Sequence, residues 1–212
     1  MPPSEAVAAA EAHLGSPAPG VGSCGKCLIF KVDGIMANHT GNYYTAVMAL
    51  FGPLFLHLNQ ENVRYVVAGG LAVVLHGFAR LTGDVDLIVD LQPHEARNAI
   101  RALSALGLRP RLPVKAMDFA DAAIRAGWIS DKGMRVFSLW DPQNPMRAID
   151  LFAEHPIDFE GLWSRAEQMD IGSTFVRVAS IEDLIQLKRM AGRPHDLADI
   201  EALEEIRKRR EG

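Results

Sequence analysis

Cysteine is nearly absent: Cys24 and Cys27 are the only two in 212 residues, so no disulfide framework organises this chain. Cys24-Gly-Lys-Cys27 has the spacing of half a zinc site or of a redox pair, but no second pair exists and no βα pattern follows closely. The two read as free thiols. No apolar run reaches the roughly 18 residues of a membrane span, and the opening Met-Pro-Pro-Ser-Glu lacks the basic start of a signal peptide, which makes the cytoplasm the expected location. A net charge of −4, from 22 basic and 26 acidic residues, rules out a broad attraction for nucleic acid or anionic membrane. Internal repeats are missing. So are the phosphate motifs Gly-x-Gly-x-x-Gly and Gly-x-x-x-x-Gly-Lys-Ser/Thr.

What is present is an ordinary globular composition, 49% hydrophobic, long enough for one α/β unit with a helical extension. Residues 1 to 35 are rich in Ala, Gly, Pro and Ser and hold little that packs, so they are expected to be disordered, with Met36 or Met48 as an alternative start. An apolar helix is expected over Tyr43 to Gln60, then a domain core over about 60–152 and an extension over 153–212.

The core is organised around residues 65–90. Tyr65 to Ala68 is β-branched and aromatic, Gly69-Gly70 interrupts it, and the small residues Leu71 to Leu75 suit a buried helix. Two glycines thus sit where a strand becomes a helix, leaving backbone N–H groups open to an anion such as phosphate. A second strand, Asp84 to Asp90, carries Asp84 and Asp86 two positions apart, so both carboxylates face one way and Val85, Leu87 and Val89 the other. An apolar strand opening on two carboxylates needs water or a hard divalent cation beside them, and Mg²⁺ or Mn²⁺ takes carboxylate, water and phosphate oxygens together. A third acid of the same kind is Asp150, between Ile149 and Leu151.

Gly69-Gly70, thirteen residues, Asp84-Val-Asp86, and then Ile149-Asp150-Leu151 together resemble the DNA polymerase β-like nucleotidyltransferase superfamily, over roughly residues 60–152. The flavour Gly-Gly-Leu-Ala…His-Gly…Arg…Thr…Asp-Val-Asp-Leu is similar to the minimal and AbiEii-type nucleotidyltransferases. The resemblance implies an α/β (α+β) fold with a small mixed sheet flanked by helices, and a helical extension after it. It implies an NTP substrate, a divalent metal held by Asp84, Asp86 and Asp150, and a triphosphate cradled at Gly69 and Gly70, where most relatives carry Gly-Ser. The acceptor hydroxyl, on RNA, protein or a small molecule, stays open. Many such proteins work in toxin–antitoxin pairs, so a helical partner protein and a non-catalytic, binding-only role form the alternative reading.

Around this centre, Arg80 and Thr82 lie in the loop before Asp84, where Arg80 could reach phosphates and Thr82 could orient a carboxylate. Lys188 and Arg193-Pro-His-Asp196 match an element that follows the core in the AbiEii-type proteins, and both are candidate nucleotide-binding residues. His76 reads as a core histidine. Pattern further predicts a helix from Pro93 to Leu106, a weaker one over Phe119 to Ala126, a hairpin setting Asp150 beside the Asp84–Asp86 strand, and a helix over Phe159 to Gln168. Two closing helices follow. The first, from Ser180, has Ile181, Leu184, Ile185 and Met190 as its buried stripe and Lys188 on the other side. The last buries Leu197, Ile200, Leu203 and Ile206 and ends in a solvated Arg207 to Arg210 run.

Overall fold

The structure, a computed structural model, describes residues 40–212, with side chains from Met48 onward. The expectations for residues 1 to 35 and for the cysteine pair lie outside the described residues. Seven strands form one mixed sheet: β1 (Tyr65–Ala68), β2 (Asp84–Val89), β3 (Arg109–Pro110), β4 (Val136–Asp141), β5 (Asn144–Phe152), β6 (Glu167–Asp170) and β7 (Phe175–Val178), in the spatial order β3-β4-β5-β2-β1-β7-β6. The helices are α1 (Thr40–Gln60), α2 (Gly69–Leu75), α3 (Pro93–Ala105), α4 (Ala122–Lys132), α5 (Phe159–Arg165), α6 (Ile181–Ala191) and α7 (Pro194–Glu211), with a 3₁₀ turn at Ala116–Ala120. The α/β class is as expected, and the sheet is wider than expected. Edge strands β3 and β6 are short and mostly polar, with no fully buried residue in either.

Alternation orients the central strands. Val85, Leu87, Phe137, Leu139, Ile149 and Leu151 are all at most 1% exposed and share one face of the sheet. There Phe137 stacks with Phe119 and Trp128 at ring distances of 5.3 and 5.2 Å, and on the β1 side Phe55 of α1 stacks on Tyr65. Each such side chain contributes about 1.5–3 kcal/mol on burial, so a one-residue slip of β2 or β5 would lose that and drive aspartates into the core. The hydrophobic pattern thereby points the acids to the opposite face.

Several boundaries differ from the sequence reading. The helix expected to reach Gln168 stops at Arg165, because Glu167–Asp170 pairs antiparallel with β7 as a hairpin. In α6 the buried stripe is Ile181, Leu184, Ile185 and Lys188, while Met190 is 59% exposed. Lys188 stands seven residues after Ile181, on the same face, whereas Met190 stands nine after it, about half a turn away. In α7 the buried face is Asp196, Asp199, Ile200 and Leu203, and Leu197 is exposed. The terminal basic run is not wholly solvated either: Arg210 reaches Glu167 at 3.0 Å and donates to His76 Nδ1 at 3.2 Å. His76 is the core residue expected, its Nε2 bonded to the Ala179 carbonyl at 2.8 Å. Burial holds its pKa below the usual histidine value.

Candidate active site

Three registers line up one row across the sheet. Ala68 pairs with Asp86, Asp86 with Asp150, and Asp150 with Ser138. The expected hairpin of β4 and β5 is what brings Asp150 there, running parallel to β2. Asp84 lies two residues before Asp86 on the same face. The row therefore gathers three carboxylates from residues 66 apart in sequence, with the Gly69-Gly70 turn beginning at its β1 end.

The acids are crowded. Asp86 has its pKa pushed up to about 6, first by burial and then by the charges of Asp84 and Asp150, while Arg193 and Lys188 pull the other way. Asp150 is raised by burial foremost, with a hydrogen bond from the Ser138 hydroxyl and the charge of Arg111 opposing. No ion pair to Asp84, Asp86 or Asp150 forms among the described residues. Nor do three His, Cys, Asp or Glu side chains converge there into a closed metal cage. The donor set fits a hard divalent ion that brings water and phosphate oxygens as its other ligands, since two or three carboxylates on an open face neither fill its shell nor tolerate one another without it. Two concavities, one beside Met117 and Ile124 and the other beside Ile185 and Met190, include none of the three acids.

Gly69 is obligatory in this arrangement. Its φ is +60°, and a Cβ there would fall 1.7 Å from Asp86 Oδ2, so the carboxylate lies directly against the turn. Gly70 is covered differently. A Cβ at 70 would meet Thr82 Oγ1 at 2.8 Å and Arg80 Cζ at 3.3 Å, so both expected loop residues do reach the turn. Thr82 Oγ1 donates to the Asp84 carbonyl at 3.2 Å, and a hydroxyl thus stands beside Gly70 although residue 70 itself has none. α2 buries Leu71 to Val74 and holds the turn in place.

Lys188 takes part in a buried ion network, and the exposed Arg193 joins it from the surface. Lys188, 4% exposed, meets Asp196 at 3.0 Å and Asp199 at 2.5 Å. Arg193 bonds Asp196 through Nε at 3.1 Å, and Arg80 pairs with Asp199 through Nη1. Partners from Lys188, Arg193 and the Arg193 backbone hold Asp196 below the usual carboxylate range despite its burial. Sequence reasoning missed Asp199, Ser138 and Arg111. A signal for Asp199 existed: Lys188, Asp196 and Asp199 occupy apolar-stripe positions of two consecutive helices, and charges at such positions need one another.

The family model described as nucleotidyltransferase of unknown function (DUF6036) matches residues 53–209, and the chain belongs to that family. The superfamily resemblance of the Gly69-Gly70, Asp84-Val-Asp86 and Asp150 pattern stands with it. No curated protein matches the chain. Among solved structures it is similar to an antigenic nucleotidyltransferase-like protein from Paracoccidioides brasiliensis, at 17% identity over 76% of this chain and 75% of the other, with a TM-score of 0.46. It is also similar to the lincomycin-bound lincosamide antibiotic adenylyltransferase LnuA, at 17% identity over 80% of this chain and 98% of the other, with a TM-score of 0.45. No helix among the described residues is long and apolar enough to cross a membrane.

Proposed function

We propose that this chain transfers a nucleoside monophosphate from an NTP to an acceptor hydroxyl, releasing pyrophosphate. The observation that carries the reading is the row itself: Asp86 and Asp150 in register on adjacent strands, with Asp86 against the Gly69 turn. Asp84 and Asp86 would hold the Mg²⁺ or Mn²⁺ that accompanies the triphosphate, and Asp150 would share the ion on the acceptor side. When bound, such an ion neutralises phosphate charge and lowers the acceptor hydroxyl's pKa. The backbone at Gly69 and Gly70, the Thr82 hydroxyl and the Arg80 guanidinium would meet the triphosphate. Lys188 and Arg193, which lie within electrostatic reach of Asp86, would offset the charge of the acids around it. Asp150, raised in pKa, would take the acceptor's proton as its oxygen attacks the α-phosphorus and the bond from the α-phosphorus to the bridging oxygen of the leaving pyrophosphate breaks. Most of the rate would come from positioning.

The test is incubation of the purified chain with each of the four NTPs, labelled at the α-phosphate, with Mg²⁺ and cell extract. Label transferred to one species names the acceptor, with unlabelled pyrophosphate released. Tight NTP binding with no transfer to any fraction would favour a binding-only member, such as one half of a toxin–antitoxin pair.

A further inference from the structure

The loop carrying Arg80 is held from the far end of the chain. Residues 76–83 form neither helix nor strand; His76 and Phe78 pack at its start, but Leu81 beside Arg80 is 83% exposed, so little local packing fixes the stretch around Arg80. Yet the Arg80 guanidinium is pinned at two points, Nη1 on Asp199 and Nε on the Leu81 carbonyl at 3.2 Å. Two anchors on a planar group set its plane, and its Nη2 makes no further bond among the described residues. Cζ then stands 3.3 Å from where a Gly70 Cβ would be. Asp199 is itself only 3% exposed, and its Oδ2 takes both Arg80 and Lys188.

From this we infer that Asp199, on α7, is the positioning residue of the nucleotide cradle: it aims Arg80 across Gly70 before any nucleotide arrives. The inference rests on the proposed nucleotide role of the Gly69-Gly70 turn. Charge balance is compatible with it. Lys188, Arg193 and Arg80 share two acids, Asp196 and Asp199, so the five groups keep one net positive charge to offer an anion. An arginine already held in place meets a phosphate without first being ordered, whereas one on a free loop loses rotamer freedom on binding. The closing helix thus belongs to the site and does more than pack against it, and Lys188 serves as the buttress that holds the Asp199 carboxylate in its own fixed place.

A double-mutant cycle tests this. The parent, Arg80→Ala, Asp199→Ala and the double variant are titrated calorimetrically with each of the four NTPs in Mg²⁺, and their unfolding is followed without nucleotide. Each single change is expected to weaken NTP binding roughly tenfold, and the double variant no more than Arg80→Ala alone. Asp199→Glu, which keeps the charge, should recover part of the affinity. Should Asp199→Ala fail to fold, Asp199→Asn keeps the volume and is expected to show the same coupling at smaller size. If the two losses multiply, so that Asp199 matters as much without Arg80 as with it, its role is structural and the inference is overturned. If the parent binds none of the four NTPs, the cradle reading falls first and this one with it.

Discussion

The three acids on the sheet and the five charges behind Gly70 meet at the Gly69-Gly70 turn, yet they are built on opposite terms. Asp84, Asp86 and Asp150 crowd one another with no cation bonded to any of them among the described residues, and Asp86 is pushed up to about 6 by burial first and by the other two acids after it. Lys188, Asp196 and Asp199 are deeper, and Arg80 and Arg193 reach them from the surface, but every one of the five has an opposite charge within 3.1 Å. Burial alone therefore does not decide what a charge does here. The paired cluster is a strut, each charge held by an opposite one, with one positive charge in excess. The unpaired cluster is open, and its excess of negative charge is what a divalent ion would relieve.

The comparison breaks most visibly at Asp150. Asp150→Asn keeps shape and removes the charge proposed to face the acceptor, so transfer is expected to fall by roughly 10² or more while NTP still binds, whereas Asp84→Asn and Asp86→Asn should damage both. Single-turnover assays beside binding titrations separate these outcomes. Equal transfer by parent and Asp150→Asn would remove Asp150 from the site.

In the strut, Lys188→Ala leaves two buried acids without their shared cation and is expected to cost about 3–5 kcal/mol of stability in chemical denaturation. A solvated lysine would cost almost nothing, and that result would contradict its place between Asp196 and Asp199. Adding Asp199→Asn to Lys188→Ala should restore part of the loss, because one of the stranded charges is then gone.

The open cluster should respond with the other sign. A carboxyl whose folded pKa is raised favours the folded state at low pH, and that contribution is lost as pH climbs through the folded value. For Asp86 the window runs from about pH 4 to just above 6, so the metal-free parent should lose about 3 kcal/mol relative to Asp86→Asn across it. Urea melts of both proteins at pH 4.5 and 7.5 capture about 2 kcal/mol of that difference, since the unfolded carboxyl is already mostly ionised at the lower value. Mg²⁺ or Mn²⁺ should close part of the gap at the higher pH, in the parent alone.

The smallest effect belongs to the clasp at the end of α7. Arg210→Ala removes a half-exposed pair with Glu167, expected to cost about 0.5–1 kcal/mol. His76 works in the opposite pH direction from Asp86. Its folded pKa is lowered, so the unfolded chain takes up the proton first, and stability contributed by the neutral ring is lost as pH falls below about 6.5. Removing Arg210, one of the charges that depress this pKa, should soften that acid sensitivity, which melts at pH 5.5 and 7.5 would show.

The amino-acid sequence by itself determined the row of acids and the turn beside it. Alternation along Asp84–Val89 and around Asp150 is a local property: apolar residues of period two commit one face to the core, and the carboxylates follow to the other whatever the rest of the chain does. Gly69-Gly70 was legible for the same reason, since only glycine suits a φ of +60° with Asp86 lying against it. Strands β3 and β6 were not legible, because two- and four-residue edges carry no pattern of their own and exist by pairing with β4 and β7. Only the tertiary structure decided what Lys188, Asp196 and Asp199 do. Polarity alone set Lys188 on the solvent side of α6 although its period matches the buried stripe, and it is α7 that packs there and supplies two carboxylates, with Arg80 joining them from 119 residues away. A buried charge is costly alone and tolerable when paired, and whether a partner is present depends on how helices meet, which no window of sequence contains.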